Sequence, residues 1–458
     1  MRVIICGAGQ VGFSIASYLS REDNDVTVID TQADMIARVN ETLDANGIVG
    51  HASNPDVLDL AGASDADLII AVTHSDEINM VACQVAHSLF NVPKKIARIR
   101  SQSYLNPAWL NLFSRNHLPI DVIISPEREI AEAIYDRLKV PGTTNVIGLA
   151  EDKVHMAGVI CGENCPIVNT PLRQIVNLFP NLTLQVGAII RNNRPVFPGP
   201  DDQMLVGDEV YFFTDTKHLK RALAAFGHEE QEARNVTVLG GGNIGLYLTR
   251  LLHKEHSQVR IKVIESDLAR AIKLSESLPG ISVLHGNGLD TKMLESADIA
   301  STEAMVTVTN NDETNIIASL LSKRLGCGRT ISLVNNTGFL TLINMMEIDA
   351  LVSPRAITVS SIMQHIRRGR IKALHSLREG FAEVIEAEVS ETSGIANQAI
   401  GSIRLPKDVI FGAVVRGDEV IMPRHDLIIR PGDHVIILSA QEQARKVEKI
   451  FLVHVDLF

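Results

Sequence analysis

Along this chain hydrophobic and polar positions follow two textures in succession, and the succession occurs twice. From the N-terminus, short apolar runs alternate with helically spaced segments. Strands are predicted at 3–6, 26–30, 48–49, 68–72 and 95–99, and helices at 11–19, 32–43, 55–60 and 77–90. Short β runs alternating with helices indicate right-handed βαβ units and a parallel sheet with helices on both faces. Around residue 145 the strands become alternating and hairpin-like, as in Ala188–Val196, where Asn192-Asn193 supplies a turn. One helix is signalled there, with Thr170 as N-cap and Pro171 at the first helical position. Leu172, Ile175, Val176 and Phe179 form its apolar face. Between the textures, Pro126 opens a helix with Ile130, Ala133, Ile134 and Leu138 at helical spacing, closed by Pro141-Gly142. Its counterpart starts at Pro354 and is expected to end near Gly369.

The repetition is visible residue by residue. Val3–Gly12 (VIICGAGQVG) recurs as Val236–Gly245 (VTVLGGGNIG), an offset of 233. Val72–Asn79 (VTHSDEIN) recurs as Val308–Asn315 (VTNNDETN) at 236, and Asp121–Pro126 as Asp349–Pro354 at 228. Gly187–Arg191 and Val206-Gly207-Asp208 recur as Gly412–Arg416 and Pro431-Gly432-Asp433 at 225. Four blocks in unchanged order, with offsets that drift as loop lengths change, indicate a duplication. The predicted architecture is α/β. Two tandem Rossmann-like, doubly wound parallel-sheet domains span 1–125 and 234–352. Each is followed by a hinge helix, at 126–144 and 353–371, and by a small α+β lobe, at 145–228 and 372–458.

Each repeat carries GxGxxG between a strand and a helix, with an acid at the end of the next strand. In that context the motif is a dinucleotide fingerprint. Gly7 permits the tight turn, Gly9 lets the backbone approach a pyrophosphate, and Gly12 allows close helix–strand packing. The segment Gly7, Ala8, Gly9, Gln10, Val11 and Gly12 therefore offers helix N-terminal amides to phosphate, as do Gly240, Gly241, Gly242, Asn243, Ile244 and Gly245. Asp30 and Glu265 can accept hydrogen bonds from a ribose 2′-hydroxyl. Their charge repels a 2′-phosphate, and Thr31 and Ser266 follow where an arginine would serve NADP, so NAD is favoured. Further contacts are expected at strand ends: Thr73 and His74 with counterparts Thr309 and Asn310, and Arg98 with Arg100 nearby. The positions matching Arg98 and Arg100 are Leu333 and Asn335, so the second site lacks that cation. The two sites are expected to differ in affinity or nucleotide preference, the first depending more on phosphate charge.

Composition narrows the class. Of 458 residues 45% are apolar and only 4% aromatic, so cores must rest on aliphatic side chains, as in covered parallel sheets. A net charge of −11 argues against nucleic-acid binding. Five cysteines without CxxC pairs suggest a reducing compartment. There is no signal-peptide pattern and no apolar run of membrane-spanning length, so the chain is expected to be soluble, with any membrane role exercised through a partner. Cys161 and Cys165 lack the further ligands of a zinc site. His253 and His256 are expected on a solvated helix face. The Arg367-Arg368-Gly369-Arg370 cluster with Lys372 suits a helix C-terminus, with anionic lipid or an acidic partner as the other reading. Trp109 and Met345-Met346 are expected in the core, or against another subunit.

The duplicated GxGxxG, the acids, the VTxxDExN segments and the GAIIR…P…D…GD lobe pattern (Pro198, Asp201; Pro423, Asp426) together resemble one family. It is the tandem RCK family (regulator of potassium conductance, or KTN), in the form of the regulatory subunits of bacterial Trk potassium-uptake systems. The resemblance spans nearly the whole chain. It implies a peripheral protein on the cytoplasmic face of the inner membrane that binds NAD(H), with ATP and ADP as further candidates. It also implies self-association into a ring, a homotetramer of eight RCK units, on an integral membrane potassium-transporting subunit. The family's contacts map onto Gly7 through Val11, Asp30, Thr73, His74 and Arg98, and onto Gly240 through Ile244, Glu265, Thr309 and Asn310. Where the family often has an acid after the third strand, this chain has Gly50-His51 and Gly286-Asn287. Two other classes stay open: an NAD-dependent oxidoreductase with duplicated Rossmann domains, and a regulator of potassium efflux.

Overall fold

The computed structural model describes residues 1–22, 24–179, 182–192, 194–256, 258–339, 348–366, 371–377 and 381–451. Strands β1 (Arg2–Cys6), β2 (Asp25–Asp30), β3 (Asn46–Val49), β4 (Leu68–Ala71), β5 (Lys94–Arg98) and β6 (Val122–Ile124) form a parallel sheet ordered β3-β2-β1-β4-β5-β6. Helices α1 (Gln10–Ser20), α2 (Ala33–Thr42), α3 (Pro55–Leu60) and α4 (Asp76–Ser88) connect them. Val3 to Cys6 and all of β4 are buried, because helices cover both faces of the sheet; this is why these strands read as continuous apolar runs.

After β6 comes α5 (Pro126–Lys139). A five-stranded antiparallel sheet follows, ordered β10-β9-β11-β8-β7. It comprises β7 (Thr143–Leu149), β8 (Val154–Ile160), β9 (Gln185–Arg191), β10 (Arg194–Val196) and β11 (Glu209–Asp215), with α6 (Leu172–Leu178) and α7 (Leu219–Ala225). The pattern then repeats. Strands β12 (Asn235–Leu239), β13 (Arg260–Glu265), β14 (Ser282–His285), β15 (Ala304–Thr307), β16 (Arg329–Leu333) and β17 (Ala350–Val352) form a second parallel sheet of the same order. Its helices are α8 (Asn243–Glu255), α9 (Leu268–Ser277), α10 (Thr291–Ser296) and α11 (Asp312–Arg324). The helix Pro354–Ile366 leads to β18 (Ile371–Leu377), β19 (Ala382–Glu388), β20 (Val409–Arg416), β21 (Glu419–Ile421) and β22 (His434–Ala440), a sheet ordered β18-β19-β22-β20-β21. The chain therefore has two tandem Rossmann-like sheets, each followed by a smaller α+β lobe.

These elements assemble into two compact units, residues 1–129 with 354–366 and residues 130–353 with 367–458. In the first, Pro354–Ile366 packs on α1 and β6. Arg355 Nε donates to Ser14 Oγ at 2.6 Å, and Ser361 Oγ donates to Glu129 Oε1 at 3.0 Å. In the second, α5 meets α8 and the residue after it. Tyr247 Oη donates to Glu132 at 3.1 Å, and Tyr135 Oη lies 3.0 Å from His256 Nε2 with the rings 5.7 Å apart. His256 thus lies beyond the end of α8 as a partner of Tyr135, not on a solvated helix face.

In the second unit the two small lobes form a sandwich. One face of the first lobe's sheet is covered by its own helices, with Phe212 stacked on Phe226 at 4.7 Å between centroids. The other face, with Met156, Ala188, Tyr211 and Phe213, meets Val384, Ala413, Val415, Ile436 and Leu438 of the second lobe. Registers shift at Gly187 in β9 and at Gly412 in β20. A Cβ at Gly187 would lie 2.9 Å from both Phe213 and Leu438, and one at Gly412 would lie 2.8 Å from the Phe213 ring. The repeated GA sequence is therefore a pair of bulges that make room for Phe213 and its counterpart Leu438. The repeated Arg and GD positions are staples. Arg191 holds Asp208 bidentately at 2.9 and 2.7 Å, and Arg416 holds Asp433 at 2.8 Å in both bonds.

Two other expectations are corrected. Helix α6 starts at Leu172, not Pro171. Pro171 bridges to Gln203, and the Leu172 and Arg173 amides donate to Asp202 O and Pro200 O, so a neighbouring loop satisfies the first turn in place of Thr170. Trp109 is 62% exposed on the 3₁₀ segment Pro107–Phe113, whereas Phe113 is buried. At three residues per turn, positions four apart do not share a face. Met345-Met346 and Arg367–Arg370 lie outside the described residues, as does the expected helix end near Gly369.

Phe213 fills the sandwich centre between two bulges, so Phe213→Ala should cost about 3–5 kcal/mol by cavity formation. Gly412→Ala should cost about 1–3 kcal/mol by overpacking. Both are read as lowered urea midpoints, and an unchanged midpoint for Phe213→Ala would refute this packing.

Candidate functional site

In both parallel sheets the strand order reverses on either side of the central strand, which opens a crevice at the C-terminal ends of β1 and β4, and of β12 and β15. In the first sheet the turn after β1 is set by Gly7 at φ +110°, and a Cβ there would sit 3.1 Å from Thr73 N and Val72 O. A Cβ on Gly12 would sit 1.8 Å from Gly7 O, so α1 approaches the turn as closely as backbone permits. Gly9, by contrast, has no heavy atom within 4 Å of where its Cβ would be. It is the N-cap residue of α1 with no side-chain cap, which leaves amides of the first turn facing the crevice. Gln10 is exposed and Val11 half-buried on that turn.

Asp30, at the end of β2, is half-buried and accepts from Ala8 N at 2.6 Å and Gln32 N at 2.9 Å. The acid thus braces the glycine turn while lying beside it. Thr73 and exposed His74 follow β4. Thr73 does not stand free. Its N and Oγ1 donate to Asn79 Oδ1 at 2.9 and 2.7 Å, and Asn79 Nδ2 donates to Thr73 O and to Arg98 O. Asn79 is fully buried and clasps the ends of β4 and β5. Asp76 extends the clasp by accepting from the amides of Arg100 and Ser101.

Arg98, at the end of β5, donates from Nη2 to Thr73 O at 2.9 Å, and its buried Nε has no partner. Among the described residues no carboxylate forms an ion pair with it. Burial, then the nearby Arg100, lowers its pKa, so its charge is costly where it stands. Arg100 is exposed and pairs with Glu127 at 2.8 Å.

The second copy repeats the backbone and changes the chemistry. Gly240 has φ +107°, a Cβ on Gly245 would lie 1.9 Å from Gly240 O, and Gly242 again faces open space. Asn243 begins α8 with exposed Asn243 and half-buried Ile244 at the first turn. Gly241 stands where the first copy has Ala8, because a Cβ there would lie 2.1 Å from Leu274 Cδ1. Glu265, buried where Asp30 is half-buried, accepts from Gly241 N at 2.8 Å and Asp267 N at 2.9 Å. Asn315 clasps Thr309 and Leu333 as Asn79 clasps Thr73 and Arg98. Exposed Asn310 has the place of His74, and buried Leu333 the place of Arg98.

All the predicted positions therefore gather at the two crevices. Asp312 accepts from the Asn335 and Asn336 amides as Asp76 does from those of Arg100 and Ser101; the clasps by Asn79, Asp76, Asn315 and Asp312 are not apparent from sequence, although the repeated VTxxDExN segment contains all four. Among the described residues there is no cluster of three or more His, Cys, Asp or Glu side chains able to hold a metal. No helix among them is long and apolar enough to cross a membrane.

Comparison with known proteins fits this architecture. The TrkA-N domain family matches residues 3–126 and 236–354, and the TrkA-C domain family matches 156–227 and 384–452. The chain belongs to the TrkA potassium-uptake regulatory family. It is 46% identical over 458 residues to the Trk system potassium uptake protein TrkA of Azorhizobium caulinodans, and 40% identical over 462 residues to that of Halomonas elongata, in both cases along the full length of both chains. TrkA proteins of this kind are regulators and not enzymes, which sets aside the duplicated-dehydrogenase reading. The fold is shared with the crystal structure of the GsuK RCK domain at TM-score 0.60 and 17% identity, covering 98% of this chain and 94% of that one. The GsuK channel bound to NAD matches at TM-score 0.59 and 16% identity, covering 98% and 78%.

The glycines supply a contrast. Gly12→Ala should destabilise by more than ~3 kcal/mol, since backbone must move. Gly9→Ala should cost about 1 kcal/mol or less, the loss of a tolerated cap residue. Equal urea midpoints for the two variants would refute the close approach of α1.

Proposed function

We propose that this TrkA-family chain is the nucleotide-responsive regulatory subunit of a Trk-type potassium uptake system. It binds NAD(H), with ATP and ADP as competitors, in the crevice of each parallel sheet. The observation that carries this reading is Arg98: a half-buried guanidinium that forms no ion pair with a carboxylate among the described residues, beside uncapped helix amides and an open Gly9. Such a site suits a phosphate group, whose oxygens match the guanidinium fork and the amide dipoles. Asp30 and Glu265 would meet ribose hydroxyls, with Gly7 through Gly12 and Gly240 through Gly245 along the pyrophosphate. His74 and Asn310 would border the ligand, and Thr73 and Thr309 would offer it lone pairs, their hydroxyl hydrogens being engaged by the clasps. Related proteins support this reading: the relatives are potassium uptake proteins, and GsuK structures have been solved bound to NAD and to ADP.

On this reading residues 1–125 and 234–352 are the nucleotide-binding domains, 145–228 and 372–458 the small lobes, and 126–144 and 353–371 the hinges between them. The chain acts as a ring of four at the cytoplasmic face of the inner membrane, against an integral membrane potassium-transporting partner. Nucleotide gates that partner only through the difference in its affinity for two ring conformations. The potassium-efflux reading is separated by a deletion strain, which here should lose potassium uptake.

Calorimetric titration of the full chain with NADH, NAD, ATP and ADP should give about two sites per chain. Arg98→Leu, which copies the second site, should weaken the first by about 10–100-fold, the worth of a charge-assisted hydrogen bond, and flatten its salt dependence. Absence of binding by all four nucleotides would overturn the proposal.

A further inference from the structure

The first crevice has a buried carboxylate beside it that nucleotide binding does not use. Strand β6 ends next to β5, with Ile124 opposite Arg98 and the Ile99 amide donating to Ile124 O at 2.9 Å. Ser125 follows, and Pro126 and Glu127 open α5. The C-terminal edge of the sheet therefore presents Thr73 after β4, Arg98 and Arg100 at the end of β5, and Glu127 after β6, in that lateral order.

Glu127 has only 6% of its surface exposed. Its Oε1 accepts from Arg100 Nε at 2.8 Å, while its Oε2 is buried and has no hydrogen-bond partner among the described residues. Arg98 Nε, one strand nearer the crevice, is buried in the same condition. Both are costly places for a polar atom, and each lies where a change of partners would relieve it. Asp76, the other carboxylate near Arg98, is different. Its oxygens accept from the amides of Arg100 and Ser101, so it is fixed by backbone, whereas Glu127 is held by a side chain. Both carboxylates act on Arg98, opposing the lowering of its pKa by burial and by Arg100.

The second repeat has lost the whole arrangement. Leu333 and Asn335 replace Arg98 and Arg100, and at the offset of 228 Arg355 replaces Glu127. Asn335 Nδ2 donates to Asp312 at 2.9 Å, and Arg355 turns instead to Ser14 Oγ on α1. A pair that only fastened α5 to its own sheet would need Arg100 and Glu127 alone. The cation facing the crevice is absent together with both, which marks the three charges as one unit.

We propose that Glu127 is the resident counter-ion of the first crevice, sharing the cations Arg98 and Arg100 until a nucleotide phosphate competes for them. This rests on the reading that phosphate binds at Arg98. Phosphate and carboxylate repel each other and draw on the same guanidinium donors, so occupancy of the crevice loosens the hold of Arg100 on Glu127. Glu127 is the second residue of α5, which leaves the first unit at Glu129 and continues in the second from Ile130. Loosening it therefore disturbs the start of a helix that joins the two units along the chain. Glu127 is a positioning residue, acting through the arginines, and the coupling is reciprocal: what weakens its hold tightens nucleotide.

The test is calorimetric titration of the full chain with ADP in EDTA, comparing the unmutated protein with Glu127→Gln; the first site is the one that Arg98→Leu weakens. Glu127→Gln should tighten that site by about 3–10-fold, because a like charge is removed and Arg100 is released. A merely structural ion pair gives the opposite sign, since breaking it loosens the site. Hydrogen exchange supplies the second readout. ADP should alter the exchange of a peptide spanning 126–139 by about threefold or more in the unmutated chain, and much less in Glu127→Gln, with Glu127→Asp restoring the response. Unchanged or weaker ADP binding by Glu127→Gln would overturn the inference. So would an unaltered 126–139 peptide in the unmutated chain, which needs no variant to fold. If the unmutated chain bound no ADP, the phosphate reading beneath the inference would fail first.

Discussion

The closest approach in each parallel-sheet domain governs everything built around it. Helix α1 comes so near the turn after β1 that a Cβ on Gly12 would lie 1.8 Å from Gly7 O, and the copy repeats this at 1.9 Å. Only glycine permits that spacing, and the spacing carries the helix N-terminus to the end of the central strand, where the strand order reverses. Amides of the first turn, uncapped by any side chain, then face the crevice instead of the covering layer. Gly7 takes the positive φ that lets the chain enter the helix so soon, and it packs in turn on the end of β4. The asparagine clasps fix that end. The cradle is therefore rigid backbone, held by contacts from Asn79 and Asn315 that do not need a ligand.

On this common cradle the two copies have diverged in charge, not in shape. Arg98 and Leu333 occupy equivalent strand ends, and the carbonyl of each accepts from the clasping asparagine of its own copy, Asn79 or Asn315. The exchange of Ala8 for Gly241 is matched by Leu274, whose Cδ1 fills the place of the missing methyl. Glu265 keeps the hydrogen bond to the turn that Asp30 makes, but is more deeply buried. Compensated changes of this kind conserve the volume of the packing. They leave electrostatics as the principal difference between the crevices.

Legibility in the sequence follows how local each cause is. The glycine turns, the acids and the strand–helix alternation depend on neighbours within a few residues, and the structure places them as read. The duplication was legible because whole blocks recur. What escaped depends on partners far along the chain. His256 looks like a surface histidine until Tyr135, 121 positions away, is brought to it. Thr170 looks like a helix cap until the loop at Pro200–Gln203 takes that role. Asn79 was plainly part of a repeated motif, yet its work is invisible without two strand ends meeting at it.

A site that regulates must be poised, and Arg98 gives that idea physical content. A guanidinium drawn into a half-buried position, with no ion-paired carboxylate among the described residues, is held there at a cost to the folded chain. Among the described residues its hydrogen-bond partner is the Thr73 carbonyl just after β4, so the charge is tied to the segment that also contacts the glycine turn. On the proposed function, an anion arriving in the crevice would relieve that cost, and would do so only in conformations that bring β4, β5 and the turn together. Binding energy of this kind differs between conformations, and that difference is the sole means by which a ligand can shift an equilibrium. The second crevice, with Leu333, has no such cost to relieve. On the proposed function, a chain with both copies would couple phosphate charge to conformation through one of them, while the other would hold a nucleotide by shape and ribose contacts alone.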